Sequence, residues 1–455
     1  MPAIITDRFK KELISEIQTD IADSANNYYI GIARSIDWDS SDTAPTPLNT
    51  ARELRNAELQ ALSVKKVEAN SFVVPRYSWS LGAIYGGYND NVSGHPTNSY
   101  YVITDENQVY ICLEQGRNSN GVGVTSTVKP TGTLPTPFRT ADGYTWKFLF
   151  TIGALRASQF LAANFMPVTK FDNFDSASNA DQVEQVGIQN AAAPKEITGY
   201  TVTAGGSGFT TVPTLTVIGD GTGAKATATV SGGAITKAEI LDSAGTLALG
   251  TNYTRAHIEV SGGGGTGATI RPIFGPKNGL GADPRDDLRA TAIMFQASPD
   301  GAEGSNWVVG NDFRQVLLVK NPNIADSAAG FSGTTGNALR RLKFASKSAE
   351  FTADNTMLGG TSGAKAYVVK TDSDEVWYVQ NEDTLFTAFA EGESVTETNG
   401  SGAGVLDSAG VDANSYAFTH PDVDLTTGET LYIDNRAAIS RSTDQSEDVK
   451  IIIQL

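Results

Sequence analysis

The residues best suited to acid–base chemistry, metal binding or nucleophilic attack are few in this sequence. Its 455 residues include three histidines, His95, His257 and His420, and one cysteine, Cys112. The histidines are far apart, and none has a metal-ligand spacing. Cys112 lies in the apolar run Val109–Leu113, which favours a buried, inert thiol over a nucleophile. We therefore expect no catalytic, cofactor-binding or metal-binding residues.

Acidic residues and glycines form runs that resemble ligand-binding loops only in composition. The acidic runs contain Asp372, Asp374 and Glu375, and then Asp422, Asp424 and Glu429. Neither run has the spacing of a calcium loop, so we expect solvated turn residues. The glycine runs 219–223 and 262–267 lack the Lys-Ser/Thr of a phosphate-binding loop and are expected to be β-turns. A β-rich hydrolase with an Asp/Glu pair is a weaker alternative, because no such pair accompanies an aromatic cleft.

Aromatic residues in two glycine-rich blocks give a second alternative. Exposed rings there could stack on sugars, which would make the protein a carbohydrate-binding protein. The commoner role of such rings is hydrophobic anchoring of small β-modules. The residues concerned are Tyr200, Phe209, Tyr253, Trp377 and Tyr378.

The strongest structural signal is the stretch 142–152. Tyr144, Trp146, Phe148, Phe150 and Ile152 share one face at period two, which predicts a strand with one face on a core. The other face would carry residues such as Lys147. Burying several aromatic rings on one strand face requires a second layer, so this strand is predicted to be the centre of a β-sandwich.

Composition and charge limit the classes of partner. The formal net charge is -17 and the sequence pI is about 4.6, which disfavour nucleic acid and anionic membranes because either needs a basic face. No signal peptide and no apolar run of membrane-spanning length is evident. Synthesis and first folding in a cytoplasm are expected.

Apolar periodicity predicts helices and strands in turn along the chain. A helix capped by Thr6 carries an apolar stripe from Phe9 to Ile21, and a second helix is predicted over 50–62. The other predictions are helices near 155–163 and 181–189, and strands over 28–33, 71–79, 100–114, 291–295, 312–320 and 448–455.

Two glycine-rich blocks interrupt this pattern. The first, 195–275, has a weak internal repeat of an aromatic anchor, a strand, a glycine turn and another strand. The second spans 345–410. We predict a mainly β fold, with a layered β-sandwich core formed by 1–180, 280–344 and 411–455, a few helices in its loops, and two inserted small β-modules. The inserts are expected to point away from the sandwich.

The order of six short motifs, followed by the apolar final strand, resembles one family. Together they are similar to the baseplate wedge subunit, the eighth gene product, of T-even-like contractile-tailed bacteriophages. The resemblance covers about 1–180, 280–340 and 414–455 and excludes both glycine-rich blocks. The motifs are Ile30–Trp38, Val73–Trp79, Val109–Leu113, Asp142–Phe150, Asp312–Pro322 and Gly428–Arg436.

The resemblance implies a structural protein, not an enzyme, that belongs to the virion tail baseplate and is synthesised and assembled in the bacterial host cytoplasm. It implies a homodimer that contacts other baseplate wedge subunits and stabilises the baseplate before contraction. The alternative is a carbohydrate- or host-receptor-binding tail protein that uses the inserted β-modules, so a host surface is a further candidate partner. The large or charged residues that match at strand ends are candidates for the dimer or wedge contacts, with core packing or a local ion pair as the alternative role. These residues are Trp38, Arg76, Trp79, Arg314 and Arg436.

Overall fold

A computed structural model describes residues 3–174, 177–408, 418–419 and 421–455. The chain is mainly β, with 39% strand, 13% helix and several sheets, which confirms the predicted fold class. It divides into two compact units. Unit 1 contains Met1–Ser15, Ser71–Met294 and Ile453–Leu455, and unit 2 contains Glu16–Asn70 and Phe295–Ile452. No described helix is long and apolar enough to cross a membrane.

Strands greatly outnumber helices along the described part of the chain. The α-helices are α1 (Asp7–Ala22), α2 (Ala51–Leu59), α3 (Ala154–Phe160), α4 (Ala180–Asn190) and α5 (Pro284–Asp287). Short 3-10 helices cover Glu303–Ser305, Glu382–Thr384 and Leu425–Thr427. The strands are β1 (Tyr28–Ala33), β2 (Ala61–Lys66), β3 (Ala69–Pro75), β4 (Tyr101–Ile103), β5 (Gln108–Glu114), β6 (Phe138–Arg139), β7 (Thr145–Thr151), β8 (Phe165–Val168), β9 (Ile197–Ser207), β10 (Thr214–Gly219), β11 (Thr227–Ser231), β12 (Ala234–Glu239), β13 (Ala256–Ser261), β14 (Thr266–Phe274), β15 (Ala292–Ala297), β16 (Asp312–Lys320), β17 (Asn323–Ile324), β18 (Thr335–Asn337), β19 (Arg340–Ala349), β20 (Thr356–Gly359), β21 (Lys365–Thr371), β22 (Glu375–Val379), β23 (Ser394–Glu397), β24 (Ala403–Leu406), β25 (Phe418–Thr419), β26 (Val423–Asp424), β27 (Glu429–Ser440) and β28 (Val449–Gln454).

Unit 2 is built around a five-stranded sheet with the order β18-β2-β1-β16-β27. Its central strands β1 and β16 are antiparallel, with Gly31 opposite Leu317. Leu317 in turn lies opposite Ile433 of β27. Both central strands are buried along almost their whole length, which is why they are rich in continuous apolar residues. β27 forms one edge of this sheet.

A second sheet of unit 2 contains the predicted insert 345–410, as far as residue 408. Six strands follow the order β22-β21-β20-β23-β24-β19, and β19 also pairs with β22, so the sheet closes into a small barrel. Closure pairs the two outer strands with each other and so removes free edges. The interior is filled by buried apolar side chains that include Leu342, Met357, Val368 and Val395.

Unit 1 contains the aromatic strand, β7, in a four-stranded sheet with the order β4-β5-β7-β6. Tyr144, Trp146 and Phe148 are fully buried, as predicted. The prediction that only one face is covered is wrong, because α4 contacts the strand and Lys147 is also only 2% exposed. The burial of Lys147 places a cation in the interior of unit 1.

The block 195–275 belongs to unit 1 and forms three antiparallel strand pairs, β9 with β14, β10 with β13, and β11 with β12. It contacts the rest of the unit through hydrogen bonds from Ser231 Oγ to Asn120 Oδ1 and from Thr236 Oγ1 to the Ser119 carbonyl, each 2.7 Å long. An ion pair of 2.6 Å joins Arg271 to Asp90. These contacts join the block to the rest of unit 1.

In the predicted internal repeat of this block, the aromatic anchor of each copy packs on the glycine turn of the other copy. Tyr253, of the second copy, packs on the glycine turn of the first, where an added Cβ at Gly221 would lie 2.4 Å from the ring Cγ. Phe209, of the first copy, packs on Gly265 in the turn of the second, again at 2.4 Å. The copies are therefore interlocked and do not form two sequential units.

The ends of the chain agree in part with the sequence predictions. Thr6 Oγ1 accepts the Phe9 amide at 3.3 Å, which confirms the predicted cap of α1. The apolar stripe of α1 is only partly covered, since Ile14 is buried while Phe9 and Leu13 are 55% and 41% exposed. The predicted final strand is β28, and the Leu455 amide donates to the Thr291 carbonyl at 3.0 Å.

Candidate functional site

Arg314 is the most buried of the five candidate interface residues, with 4% of its surface exposed. It follows Asp312 at the start of β16, and its guanidinium faces the loop that follows β1. Arg314 Nε donates to Asp42 Oδ1 at 2.7 Å, and the two Nη atoms donate to the Ser35 carbonyl and to Asp37. The hydrogen bond from Arg314 lowers the pKa of Asp42 below its ordinary value. Arg314 therefore fixes the loop after β1 to β16.

Trp38 and Arg436 lie close to each other in the same unit. Trp38 Nε1 donates to the Arg436 carbonyl at 2.8 Å, and the guanidinium of Arg34 lies 4.4 Å from the Trp38 ring centroid. The Arg436 side chain is 53% exposed, and its Nε donates to Asp434 Oδ2 at 2.6 Å. Trp38 and Arg314 thus hold a loop, while Arg436 presents its charge to solvent.

Arg76 and Trp79 lie in unit 1 and have different surroundings. Arg76 donates two hydrogen bonds to residues that follow α3. Its amide donates to the Asn164 carbonyl at 2.8 Å, and its Nη1 donates to the Ala162 carbonyl at 3.2 Å. Trp79 Nε1 donates to Ser126 Oγ at 3.1 Å. Both side chains are half-buried and stabilise local structure. Of the five candidates, Arg436 is therefore the one best placed to line an interface.

A groove of about 400 Å³ lies beside Arg436 within unit 2. Its apolar lining includes Phe313, Val316, Tyr432 and Ile439, and its charged lining includes Asp434 and Arg436. These apolar residues come from β16 and β27, and residues 447–451 line the groove as well. A surface of this mixed character fits a protein partner better than a small apolar ligand, since protein interfaces combine an apolar centre with charged margins.

The residues suited to chemistry are not assembled into a reactive site in the described part of the chain. His95 is half-buried, its Nε2 lies 2.9 Å from the Leu288 carbonyl, and burial lowers its pKa. His257 is exposed, and His420 lies outside the described residues. Cys112 is fully buried, as predicted, and burial raises the pKa of its thiol. No group of three or more His, Cys, Asp or Glu residues among those described could hold a metal ion.

The turn prediction is right for Asp372, Asp374 and Asp422, whereas Glu375, Asp424 and Glu429 lie at the ends of β22, β26 and β27. Asp422 Oδ2 accepts the Asn337 amide at 3.1 Å, and Asp424 caps the following 3-10 helix by accepting the Thr426 amide at 3.0 Å. Glu375 pairs with Arg341 at 3.0 Å. These contacts use the carboxylates locally.

The prediction that the aromatic residues of the inserts are exposed is wrong for most of them. Tyr200, Phe209, Tyr253 and Tyr378 are at most 9% exposed. Trp377 is half-buried, and the Lys370 ammonium lies 4.9 Å from its ring centroid. The anchoring role is confirmed for the four buried rings.

Sequence reasoning missed two groups of buried ionisable residues in unit 1, one around Glu114 and one that contains Lys147 and Asp287. Glu114 Oε1 accepts the Ile240 amide at 2.8 Å and Oε2 accepts Thr145 Oγ1 at 3.3 Å, and burial raises the pKa of Glu114 to about 7. In the other cluster, burial lowers the pKa of Lys147 and raises that of Asp287. No sequence signal marks either cluster, because their members come together only in the folded unit.

Comparisons with known proteins add no relative. No protein-family model matches the chain, and no curated protein matches it.

Proposed function

We propose that the chain is a structural subunit of the baseplate wedge of a contractile phage tail, where it dimerises and contacts other wedge subunits. The observation that carries this proposal is the position of the motifs that resemble the wedge family. Three of them, from distant parts of the sequence, lie in β1, β16 and β27, which are neighbours in one sheet. Two others lie in β5 and β7, which pair with each other. Residues that resemble one family in order along the chain thus also form contiguous sheets.

The glycine-rich blocks also support the proposal, because they form structure that is separate from the motifs resembling the wedge family. The motifs lie outside both blocks. The first block has its own strand pairs, and the second forms a barrel with its own buried side chains together with β19, which begins at Arg340, shortly before the block. A block of this kind can occupy a loop without changing the pairing of the strands that carry the motifs.

A subunit that holds a baseplate before contraction has to resist deformation and to bind neighbours. The Arg314 contacts to Asp37, Asp42 and Ser35 fix a long loop to the sheet. Exposed apolar residues at the N-terminal end of α1 supply a surface for a neighbour, and these are Ile4, Ile5, Phe9 and Leu13. Clustered exposed apolar side chains are typical of protein-contact surfaces.

The proposal is tested by mixing the purified chain with the other wedge subunits encoded in the same genome and measuring complex mass by light scattering after size exclusion. We expect a discrete complex that contains this chain. Leu13→Asp should weaken the complex if α1 contributes to it, with Val405→Asp, at a similarly exposed position in the barrel, as the matched control. A wild-type chain that stays separate from all of these subunits would contradict the proposal.

A further inference from the structure

Two consecutive apolar residues in the loop between β22 and β23 have left-handed backbone conformations. Leu385 has a φ of 62° and a ψ of 12°, and Phe386 has a φ of 54°. Every other described residue with a positive φ, apart from glycines, is polar or charged. Leu385 and Phe386 are also 77% and 45% exposed. Backbone strain of this kind is concentrated at binding and catalytic sites, so this loop is a candidate contact surface.

Polar contacts fix this loop on both sides of Leu385. Gln380 Nε2 donates to the Thr387 carbonyl at 2.8 Å, which joins the two ends of the segment. Arg52 Nε, from α2, donates to Glu382 Oε2 at 2.9 Å. The loop therefore presents its two exposed apolar side chains in a fixed conformation, which lowers the entropy cost of binding a partner.

Phe386 also lines a pocket of about 290 Å³ within unit 2. Other apolar side chains of this pocket are those of Leu59, Val423 and Leu425. Among the described residues that line it, three are acids and one, Arg340, is basic. The pocket thus combines apolar walls with an excess of carboxylates. The acids are Glu58, Asp326 and Asp424.

Glu58 forms no ion pair with any residue that the structure describes. Its Oε1 accepts the Thr430 hydroxyl at 2.6 Å. Burial raises the pKa of Glu58, and the negative charge of Asp424 raises it further. A cation beside these carboxylates would reduce their repulsion. The aliphatic part of a lysine or arginine side chain would at the same time pack on the apolar walls.

We propose that this pocket and the exposed pair Leu385 and Phe386 bind a basic, partly apolar segment of another wedge subunit, with a lysine or arginine side chain in the pocket. The inference rests on the proposed function and adds a contact surface and the chemistry of its partner. Charge complementarity selects this occupant, because the acids of the pocket outnumber its one base. Glu382 and Asp383 beside the exposed pair disfavour an anionic membrane.

Leu385→Gly distinguishes a contact role from a structural one. Glycine adopts the left-handed region readily, so the variant should unfold at a temperature no lower than the wild type and up to about 4 °C higher. It should nevertheless bind the wedge subunit about tenfold more weakly, because the apolar contact is lost. Leu134→Gly is the control, since Leu134 is 70% exposed without a positive φ. The control should not raise the unfolding temperature and should leave binding unchanged.

Glu58→Gln tests the charge of the pocket. The amide keeps an acceptor for the Thr430 hydroxyl but carries no charge, so binding should weaken about tenfold while the unfolding temperature does not fall. Glu259→Gln, at an exposed position in unit 1, is the control and should bind as the wild type does. Titration calorimetry of the full chain with each wedge subunit encoded in the same genome measures these affinities.

A photo-reactive amino acid in place of Leu385 identifies the bound segment in the complex. We expect cross-links to a segment of another wedge subunit that has lysine or arginine beside apolar residues. Cross-links to a second copy alone, or wild-type affinity of both Leu385→Gly and Glu58→Gln, would overturn the inference and leave the proposed function standing. A wild-type chain that binds none of the subunits would contradict the proposed function, and the inference with it.

Discussion

Gly221 lies so close to the ring of Tyr253 that an added Cβ would be 2.4 Å from the ring Cγ and 2.5 Å from the Thr251 carbonyl oxygen. Phe209 and Gly265 have the same relationship in the other half of the block. Each half of the 195–275 block thus supplies the aromatic ring that packs on the glycine turn of the other half. The two halves depend on each other for their cores.

This packing predicts that Gly221→Ala destabilises the protein by roughly 1–3 kcal/mol, because the new methyl group overpacks a buried ring. Thermal unfolding followed by circular dichroism measures the effect. Gly31→Ala is the control, because its Cβ would have ordinary contacts of 3.6 Å to Leu317 and Val64. Equal behaviour of the two variants would show that the ring and the turn are not packed as described.

Glu114 predicts a pH dependence of stability. Its folded-state pKa of about 7 is above the ordinary glutamate value, so its stabilising contribution is complete below the unfolded-state pKa and is lost as the pH rises through about 7. Glu114→Gln keeps an acceptor for the Ile240 amide, replaces the carboxylate acceptor of Thr145 Oγ1 with an amide group that can donate to that hydroxyl, and carries no charge. Between about pH 5 and about pH 8 the variant should gain roughly 1–3 kcal/mol of unfolding free energy relative to the wild type.

Urea unfolding at both pH values measures this difference. Glu391→Gln, at an exposed position, is the control and should show no comparable gain. A constant difference between Glu114→Gln and the wild type at both pH values would mean that Glu114 is ionised in the folded state throughout that range.

Cys112 should be protected from modification in the native protein. The thiol is fully buried in β5, and burial raises its pKa, so both access and thiolate formation are suppressed. We expect its reaction with a thiol-reactive disulfide reagent to be at least about a hundredfold faster after denaturation. The chain has one cysteine, so the signal has a single source, and rapid labelling of the native chain would be inconsistent with the buried strand.

Arg314 should be more important for stability than an exposed arginine of the same unit. Arg314→Met removes the side-chain donor of the Ser35 carbonyl and one of the two donors to Asp42 Oδ1, which keeps the Trp38 amide, and we expect a loss of about 1–3 kcal/mol. Arg55→Ala is the control, since Arg55 is 59% exposed and lies 3.5 Å from Glu382, and it should cost less than about 1 kcal/mol. Urea denaturation gives both values, and similar losses would contradict the structural role of Arg314.

Much of the local structure could be predicted from the sequence because its signals are local. The alternation of Tyr144, Trp146 and Phe148 predicted β7, and Thr50 predicted the start of α2, where its side chain accepts the Glu53 amide at 3.2 Å. The prediction continued that helix to Leu62, but β2 begins at Ala61. β2 forms because it pairs with β1, and helical periodicity in the sequence carries no information on such a long-range contact.

The features that the sequence did not predict all depend on distant contacts. The pairing of β19 with β22, which closes the barrel, has no marker in either strand. Lys147 was expected on an open face because its charge favours water, yet α4 contacts that strand and Glu196 and Asp287 attract the buried ammonium. The cluster of Trp38, Arg314 and Arg436 likewise formed from residues almost 400 positions apart in sequence. Charge and hydropathy patterns report local burial, and they do not report which element covers a face.

The central proposal, that the chain is a baseplate wedge subunit, has a direct test in the composition of the virion. The measurement is quantitative mass spectrometry of baseplates purified from the phage whose genome encodes the chain. We expect the chain in the baseplate fraction at two copies for each wedge. Its absence from that fraction, or its recovery only with tail fibres or other host-binding appendages, would contradict the proposal.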